Sequence, residues 1–320
     1  MKVHRVAIIG LGIMGRRMIG NFERHPLFEL TGVWDPCEGS LAKTSAEYPT
    51  VKVGESPKSL INRNSVDLVY IACPPEFHKE YALIAISESI PVYLEKPLGI
   101  DVEESKDLVK LLEETTTPNI VNFGQASCEA LQITKEALSS NRTGPIKGVD
   151  IIMQYQQWPR SWQVTADWLR FRNAGGYVRE VLSHFIFVTE RLLGPSKIIF
   201  SKPLYPLQQD LCETHIQARL SCNDIPINIF GSCGGAGQDR QEITVWGETR
   251  SYRISDFYFL DTTEGQIWQS ALPSDSDPRT TNLQRQLDNV DRWLNGKDHP
   301  LASAQDALSV QIIIEKLLET

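Results

Sequence analysis

The chain has 320 residues, more than one hydrophobic core ordinarily serves, so two domains are expected. It is 41% hydrophobic and 22% charged, and its 32 Lys plus Arg against 40 Asp plus Glu give a formal net charge of -8. An acidic chain with no basic run is a poor partner for nucleic acid or an anionic membrane, and no apolar stretch approaches the roughly 18 residues of a membrane span.

The opening "MKVHRVAIIGLG" enters a strand directly, without the apolar core and cleavage site of a signal peptide, so a cytoplasmic protein is expected. The six cysteines are scattered with no CxxC pair, which reads as reduced structural thiols. No two of the six histidines stand at ligand spacing, so no metal is expected.

Val6 to Ile9 reads as a strand, followed by a glycine turn and a helix to about Arg24. "FELTGVW" (28–34) is a second strand, ended by Asp35 and Pro36. A helix near 39–47, a short strand near 51–53, the apolar strand "DLVYIA" (67–72) and a helix through "PEFHKEYALIAISES" follow. The strand 92–94 counts as the fifth, and a helix near 102–115 and a sixth strand at 119–124 come next. Strict βα alternation predicts a Rossmann-type, doubly wound parallel sheet over residues 1–124. Beyond it, the helix 128–140 gives way to strand-like runs at 147–157, 196–203, 211–221, 225–233, 240–246 and 250–260. A helix near 175–193 interrupts these runs, and helices near 281–294 and 303–319 close the chain. Residues 125–320 are therefore expected to form an α+β domain on a large, mostly antiparallel open sheet, with the last helices free to pack back on the first domain.

"IIGLGIMG" sets Gly10, Gly12 and Gly15 in G-x-G-x-x-G spacing between a strand and a helix. Gly10 serves the tight turn, Gly12 lets a pyrophosphate approach, and Gly15 lets helix and strand pack. Ile13 and Met14 open the helix, whose N-terminus favours an anion. Asp35, 20 positions after Gly15, stands where a carboxylate accepts hydrogen bonds from the adenosine ribose. A carboxylate there repels a 2′-phosphate, which favours NAD over NADP, although Lys43 could reach inward.

"PVYLEKPLGI" raises a separate question, because Glu95, Lys96 and Pro97 emerge where an apolar strand ends. With the glycine turn, Asp35 and "ACPPEFH", this Glu-Lys-Pro makes the chain resemble the Gfo/Idh/MocA oxidoreductase family over nearly its whole length. The resemblance implies that Lys96 contacts the nicotinamide ribose and the reacting hydroxyl, with Glu95 beside it at the cofactor. It implies that Cys73, Pro74, Pro75 and His78 line the cofactor. It also places Glu180 and His184, in "GGYVREVLSH", at the family's catalytic positions. Two departures stand out: the family usually has aspartate at the position of Glu180, and "GQASCEA" (124–130) lacks the family's usual Asn-Arg-Phe-like sequence. A cis Lys96–Pro97 bond is a feature to look for.

The chemistry expected of these residues is proton transfer coupled to hydride transfer. A lysine whose pKa is lowered by burial and a neighbouring cation can act near neutrality. Glu180 and His184, spaced i,i+4, share a face on a helix, where the carboxylate can fix the imidazole tautomer. Whether Lys96 or His184 is the formal base stays open. The glycines of "AGGY" are read as letting the backbone approach a ligand. Trp158, Trp162, Trp168, Arg160, Arg170 and Arg172 precede them, and Trp168 and Arg172 are the expected substrate contacts. The resulting expectation is an NAD(P)-dependent dehydrogenase or reductase of a sugar, polyol or related hydroxy compound, forming a homodimer or homotetramer. Reduction of an imine or conjugated system, a non-catalytic NAD(P)-binding regulator and a redox-cycling eliminase are the competing readings.

Overall fold

The computed structural model of the chain describes residues 2–319. They divide into two compact units: one runs up to Phe123 and includes Leu283–Ser309, the other comprises Gly124–Asn282 and the residues from Val310 on.

The first unit alternates β1 (His4–Ile9), α1 (Ile13–Arg24), β2 (Phe28–Trp34), α2 (Glu38–Glu47), the single turn α3 (Pro57–Leu60), β3 (Leu68–Ile71), α4 (His78–Ser87), β4 (Val92–Leu94), α5 (Val102–Glu114) and β5 (Asn119–Val121). The five strands are parallel in the order β2-β1-β3-β4-β5. β3 and β4 are buried at every position, as strands covered on both faces must be. The winding reverses between β1 and β3, and loops at the carboxyl ends of strands around such a switch point form the ligand crevice of doubly wound sheets.

The strand expected near 51–53 is a single bridge, Val33 to Val53. Ser56 caps α3 and Pro57 occupies its first turn, which draws the chain off the sheet edge after Gly54. The strand 92–94 is accordingly the fourth of this sheet, not the fifth. Residues 283–309, part of the closing helices left free to pack back, lie in the first unit. Leu283, Leu287 and Val290 repeat at helical spacing and, with Leu301, are buried in the same core as Val6, Ile8, Phe22 and Tyr70. The chain at Ala302 also bridges to Val121.

The second unit contains α6 (Glu129–Ser139), β6 (Ile146–Tyr155), a π-helical turn (Val178–Leu182), α7 (Ser183–Leu193) and the strands β7 (Lys197–Leu204), β8 (His215–Cys222), β9 (Ile225–Cys233), β10 (Arg240–Gly247), β11 (Ser251–Ser255), β12 (Phe259–Thr263) and β13 (Gln269–Ser270). α8 (Pro278–Leu294) and α9 (Ala304–Leu318) close the chain. Eight strands run in the order β13-β12-β11-β10-β6-β9-β8-β7, antiparallel except for β6 beside β9. Alternate residues of β6, β8 and β9 are buried, such as Ile151, Ala218 and Ile229, while Phe230 and Trp246 stay partly exposed. The strand expected at 250–260 is split into β11 and β12, because Asp256 (φ 46°) and Phe257 (φ 69°) turn left-handed and reverse the chain. The helix expected from 175 begins at Val178, with a π-turn in place of its first α-turns.

Candidate functional site

The three glycines after β1 have different physical reasons. A Cβ on Gly10 (φ +97°) would lie 2.4 Å from Cys73 N, and one on Gly15 would lie 1.9 Å from Gly10 O. Both glycines are therefore demanded by the chain's own backbone. Gly12 has an ordinary φ of −67°, and a Cβ there would meet nothing within 4 Å. Nothing in the chain itself asks for glycine at Gly12, whereas a ligand approaching the N-terminus of α1 would. The amides of Ile13 and Met14 lie in that first helical turn, which has no side-chain cap. This cradle fits the diphosphate of a dinucleotide.

Asp35, half-buried at the end of β2, accepts the backbone N–H of Leu11 on Oδ2 at 2.6 Å and that of Cys37 on Oδ1 at 2.8 Å. Its carboxylate thus fixes the glycine turn while keeping lone pairs on both oxygens for a further donor.

Cys73 and Pro74 follow β3, and Pro75 opens a short 3₁₀ turn into α4. Burial pushes the Cys73 thiol up to about 12, so it is a neutral, unreactive thiol. His78 is 1% exposed, with Nε2 3.0 Å from Cys73 O and Nδ1 3.2 Å from Leu98 O. The ring packs between the loop after β3 and the loop after β4; burial lowers its pKa to about 4, so it is neutral and its single N–H donates to one of the two carbonyls.

Glu95 and Lys96 follow β4, and the Lys96–Pro97 bond is cis. The two side chains have different settings. Lys96 is half-buried, whereas Glu95 is 6% exposed and its Oε1 accepts from the Tyr70 hydroxyl and from Asn122 Nδ2. Gln286 Nε2 on α8 lies 2.6 Å from Asn122 Oδ1 and 2.6 Å from the Tyr93 hydroxyl. Burial, reinforced by the Glu95 charge, pushes both tyrosines well above their ordinary range, so they serve as neutral hydrogen-bonding groups. Glu95 therefore anchors the strand end that presents Lys96.

In the second unit, Glu180 lies in the π-turn and His184 in the first turn of α7, both half-buried. Gln163, 1% exposed, places Nε2 3.5 Å from Glu180 Oε1 and accepts the Arg160 backbone N–H and Nε–H on its own Oε1 at 3.3 and 3.0 Å. The Arg160 guanidinium lies over the rings of Tyr155, Trp158 and Trp162 at 5.3, 5.6 and 4.7 Å. His184 meets the edge of Phe257 at 5.1 Å, and Cys128 Sγ reaches Phe257 O at 3.2 Å. π-Turns of this kind gather at functional sites.

The glycines of "AGGY" touch the protein itself. A Cβ on Gly175 would lie 2.4 Å from Leu169 O, and one on Gly176 would lie 2.5 Å from Glu213 Oε2. Their small size serves packing beneath the helix, which corrects the reading that they admit a ligand. Arg172 stacks on Tyr205 at 3.7 Å, and its N–H bonds to Asp210 O at 2.8 Å, while Trp168 sits half-buried on a 3₁₀ turn. Arg160 is connected to Glu180 through Gln163. Among the described residues no group of three His, Cys, Asp or Glu side chains could hold a metal, and no helix is long and apolar enough to cross a membrane.

Residues 4–123 match the model of the GFO_IDH_MocA family, described as an oxidoreductase family with an NAD-binding Rossmann fold. Over this segment the chain is similar to the NAD-binding domain of the Gfo/Idh/MocA oxidoreductase family. It is 26% identical over 198 residues to a 1-carboxy-3-chloro-3,4-dihydroxycyclohexa-1,5-diene dehydrogenase of Comamonas testosteroni, covering 61% of this chain and 48% of that protein. It is 30% identical over 187 residues to Oxidoreductase P35 of Formosa agariphila, covering 56% and 58%. The chain thus spans about half the length of these curated relatives. The WlbA dehydrogenase from Bordetella pertussis, solved with NADH and UDP-GlcNAcA, has a TM-score of 0.82 over 99% of this chain and 95% of its own at 20% identity, which shows a shared fold.

Sequence reasoning passed over Asn122, Gln163, Gln286 and Glu213. Each is an uncharged amide or lone acid outside a recognisable pattern. Only Gln163 and Arg160 carried a signal, as polar residues inside the tryptophan-rich segment.

Proposed function

We propose that this protein is an NAD-dependent dehydrogenase or reductase acting on a CH–OH or carbonyl carbon of a sugar, polyol or related small hydroxy compound. The observation that carries the reading is the cradle at Gly12, where glycine has no reason inside the chain, with Asp35 beside it at the end of β2. Bound NAD would accept or return the hydride. The amides of Ile13 and Met14 hold the diphosphate, and Asp35 accepts from the ribose and disfavours a 2′-phosphate. Cys73, Pro74 and Pro75 line the cofactor, and His78 keeps their loop in place. Lys96 polarises the reacting oxygen, Glu95 fixes its backbone, His184 exchanges the substrate proton, and Glu180 orients the imidazole. Arg160, Trp158 and Trp162 join Trp168 and Arg172 as substrate contacts, since aromatic faces and guanidinium donors suit a hydroxylated ligand. The names of two similar proteins support the substrate class: one is a dehydrogenase of a dihydroxy ring compound, and the other was solved with a sugar nucleotide. We place the protein in the cytoplasm and propose a homodimer or homotetramer whose open sheet face, with Phe230 and Trp246, is covered by a second copy.

The test is NADH formation across a panel of polyols, sugars and hydroxy acids, with NADH binding followed by fluorescence. Lys96→Met and His184→Ala are each expected to lower kcat at least about 100-fold on the accepted substrate. Near-normal turnover in both variants would refute the assignment, and cofactor binding without turnover across the panel would favour a regulator.

A further inference from the structure

Glu213 lies just before β8, is 2% exposed and has no part in the function proposed above. Its Oε1 accepts the backbone N–H of Val178 at 2.8 Å, the first residue of the π-turn. Its carboxyl also fills the space beside Gly176, at φ +99°, where a Cβ would come within 2.6 Å of either oxygen. Glu213 Oε2 and the Tyr177 hydroxyl are buried without a hydrogen-bond partner. The π-turn continues without a break into α7, so Val178 begins the helical run that carries Glu180 and His184. A carboxylate at such an N-terminus accepts an otherwise unpaired amide and complements the helix dipole.

We propose that Glu213 is a positioning residue for the reaction: its carboxyl holds the start of the Glu180/His184 helix through Val178, and its protonation changes the pose of that helix. The catalytic meaning rests on the roles proposed for Glu180 and His184, whereas the coupling itself does not. Tyr177 just before the π-turn, Arg179 on it, Glu315 on α9, Cys212 on the same loop, Cys233 at the end of β9 and Tyr205 after β7 are the titratable groups around Glu213. Arg179 is the cation of this set, and its guanidinium is joined to Glu315 by two bonds of 2.7 Å. Burial dominates, raising the Glu213 acid to about 7, so both protonation states are populated near neutral pH. The carboxylate makes a charge-assisted bond to Val178, and the acid a weaker one.

Amide NMR titration of the full-length, deuterated, ¹⁵N-labelled chain tests this without any substrate. The background is His184→Gln, which removes the imidazole's own titration. With Glu213 present, the amides at 178, 180 and 184 are expected to share one inflection near pH 7, as Glu213 titrates. Adding Glu213→Gln should abolish that inflection at all three. Adding Glu213→Asp, which keeps an acid with a shorter reach, should move it to a new common midpoint. The proposal is overturned if only the amide at 178 titrates, if the inflection survives Glu213→Gln, or if Glu213→Asp leaves the midpoint unmoved. Absence of turnover on the substrate panel would leave these outcomes unchanged, so the two failures are distinguishable.

Discussion

The Leu11 backbone N–H donates to Asp35 Oδ2 at 2.6 Å, so one carboxylate ties the end of β2 to the glycine turn after β1. Asp35→Ala should weaken NADH binding about tenfold or more, narrow the preference for NAD over NADP, and cost about 1–3 kcal/mol of stability from the amides left unpaired. Fluorescence titration with both cofactors and urea unfolding measure the two effects. A wild-type preference for NADP would contradict the role given to Asp35.

Gly12 and Gly15 should separate binding from folding. Gly12→Ala places its methyl in open space, so the melting temperature should stay near that of the wild type while NADH affinity falls about tenfold or more. Gly15→Ala forces a methyl toward Gly10 O and should destabilise the protein by about 1–3 kcal/mol. Equal effects of the two substitutions on melting would remove the argument for a ligand at Gly12.

His78 gives the fold an acid-sensitive link. Its pKa is lowered from 6.5 to about 4 by burial, so between those values the unfolded chain binds the proton that the folded chain refuses. Stability from this group is therefore complete above pH 6.5 and is lost as pH falls toward 4, by at most about 3 kcal/mol. Urea unfolding at a series of pH values should show this slope in the wild type and a shallower one in His78→Gln.

The buried carboxylate of Glu95 depends on its donors. Tyr70→Phe removes one of them without changing the ring, so a loss of about 1.5–3 kcal/mol is expected, as for a hydrogen bond to a charged group. Chemical denaturation of the variant measures it, and an unchanged midpoint would mean that Tyr70 does not support Glu95.

Much of the first unit was legible because the strands of a parallel sheet with two covered faces are short apolar runs, and α1 and α5 each carry an apolar stripe, Met18, Ile19 and Phe22 on one and Leu108, Val109 and Leu112 on the other. The return of residues 283–309 was not, since the stripe of Leu283, Leu287 and Val290 shows that α8 is buried on one face but not against which core. In the second unit alternation located most strands, while the break at Asp256–Phe257 escaped notice because neither residue advertises a left-handed backbone as Asn-Gly would. Glu95 and Lys96 are neighbours in sequence, yet only the geometry shows one carboxylate sunk among Tyr70 and Asn122 and the lysine left half-buried. The expectation of Arg172 over Arg160 had no periodicity behind it, because the segment between β6 and the π-turn is irregular.

In the proposed function Lys96 serves hydride transfer at a hydroxyl-bearing carbon and is not needed to hold the cofactor. Side-by-side measurement of NADH affinity and turnover in the wild type and Lys96→Met separates the two roles. The expected result is turnover at least about 100-fold lower with NADH affinity within a few-fold of the wild type. Turnover retained in Lys96→Met, or lost only in proportion to cofactor binding, would contradict it.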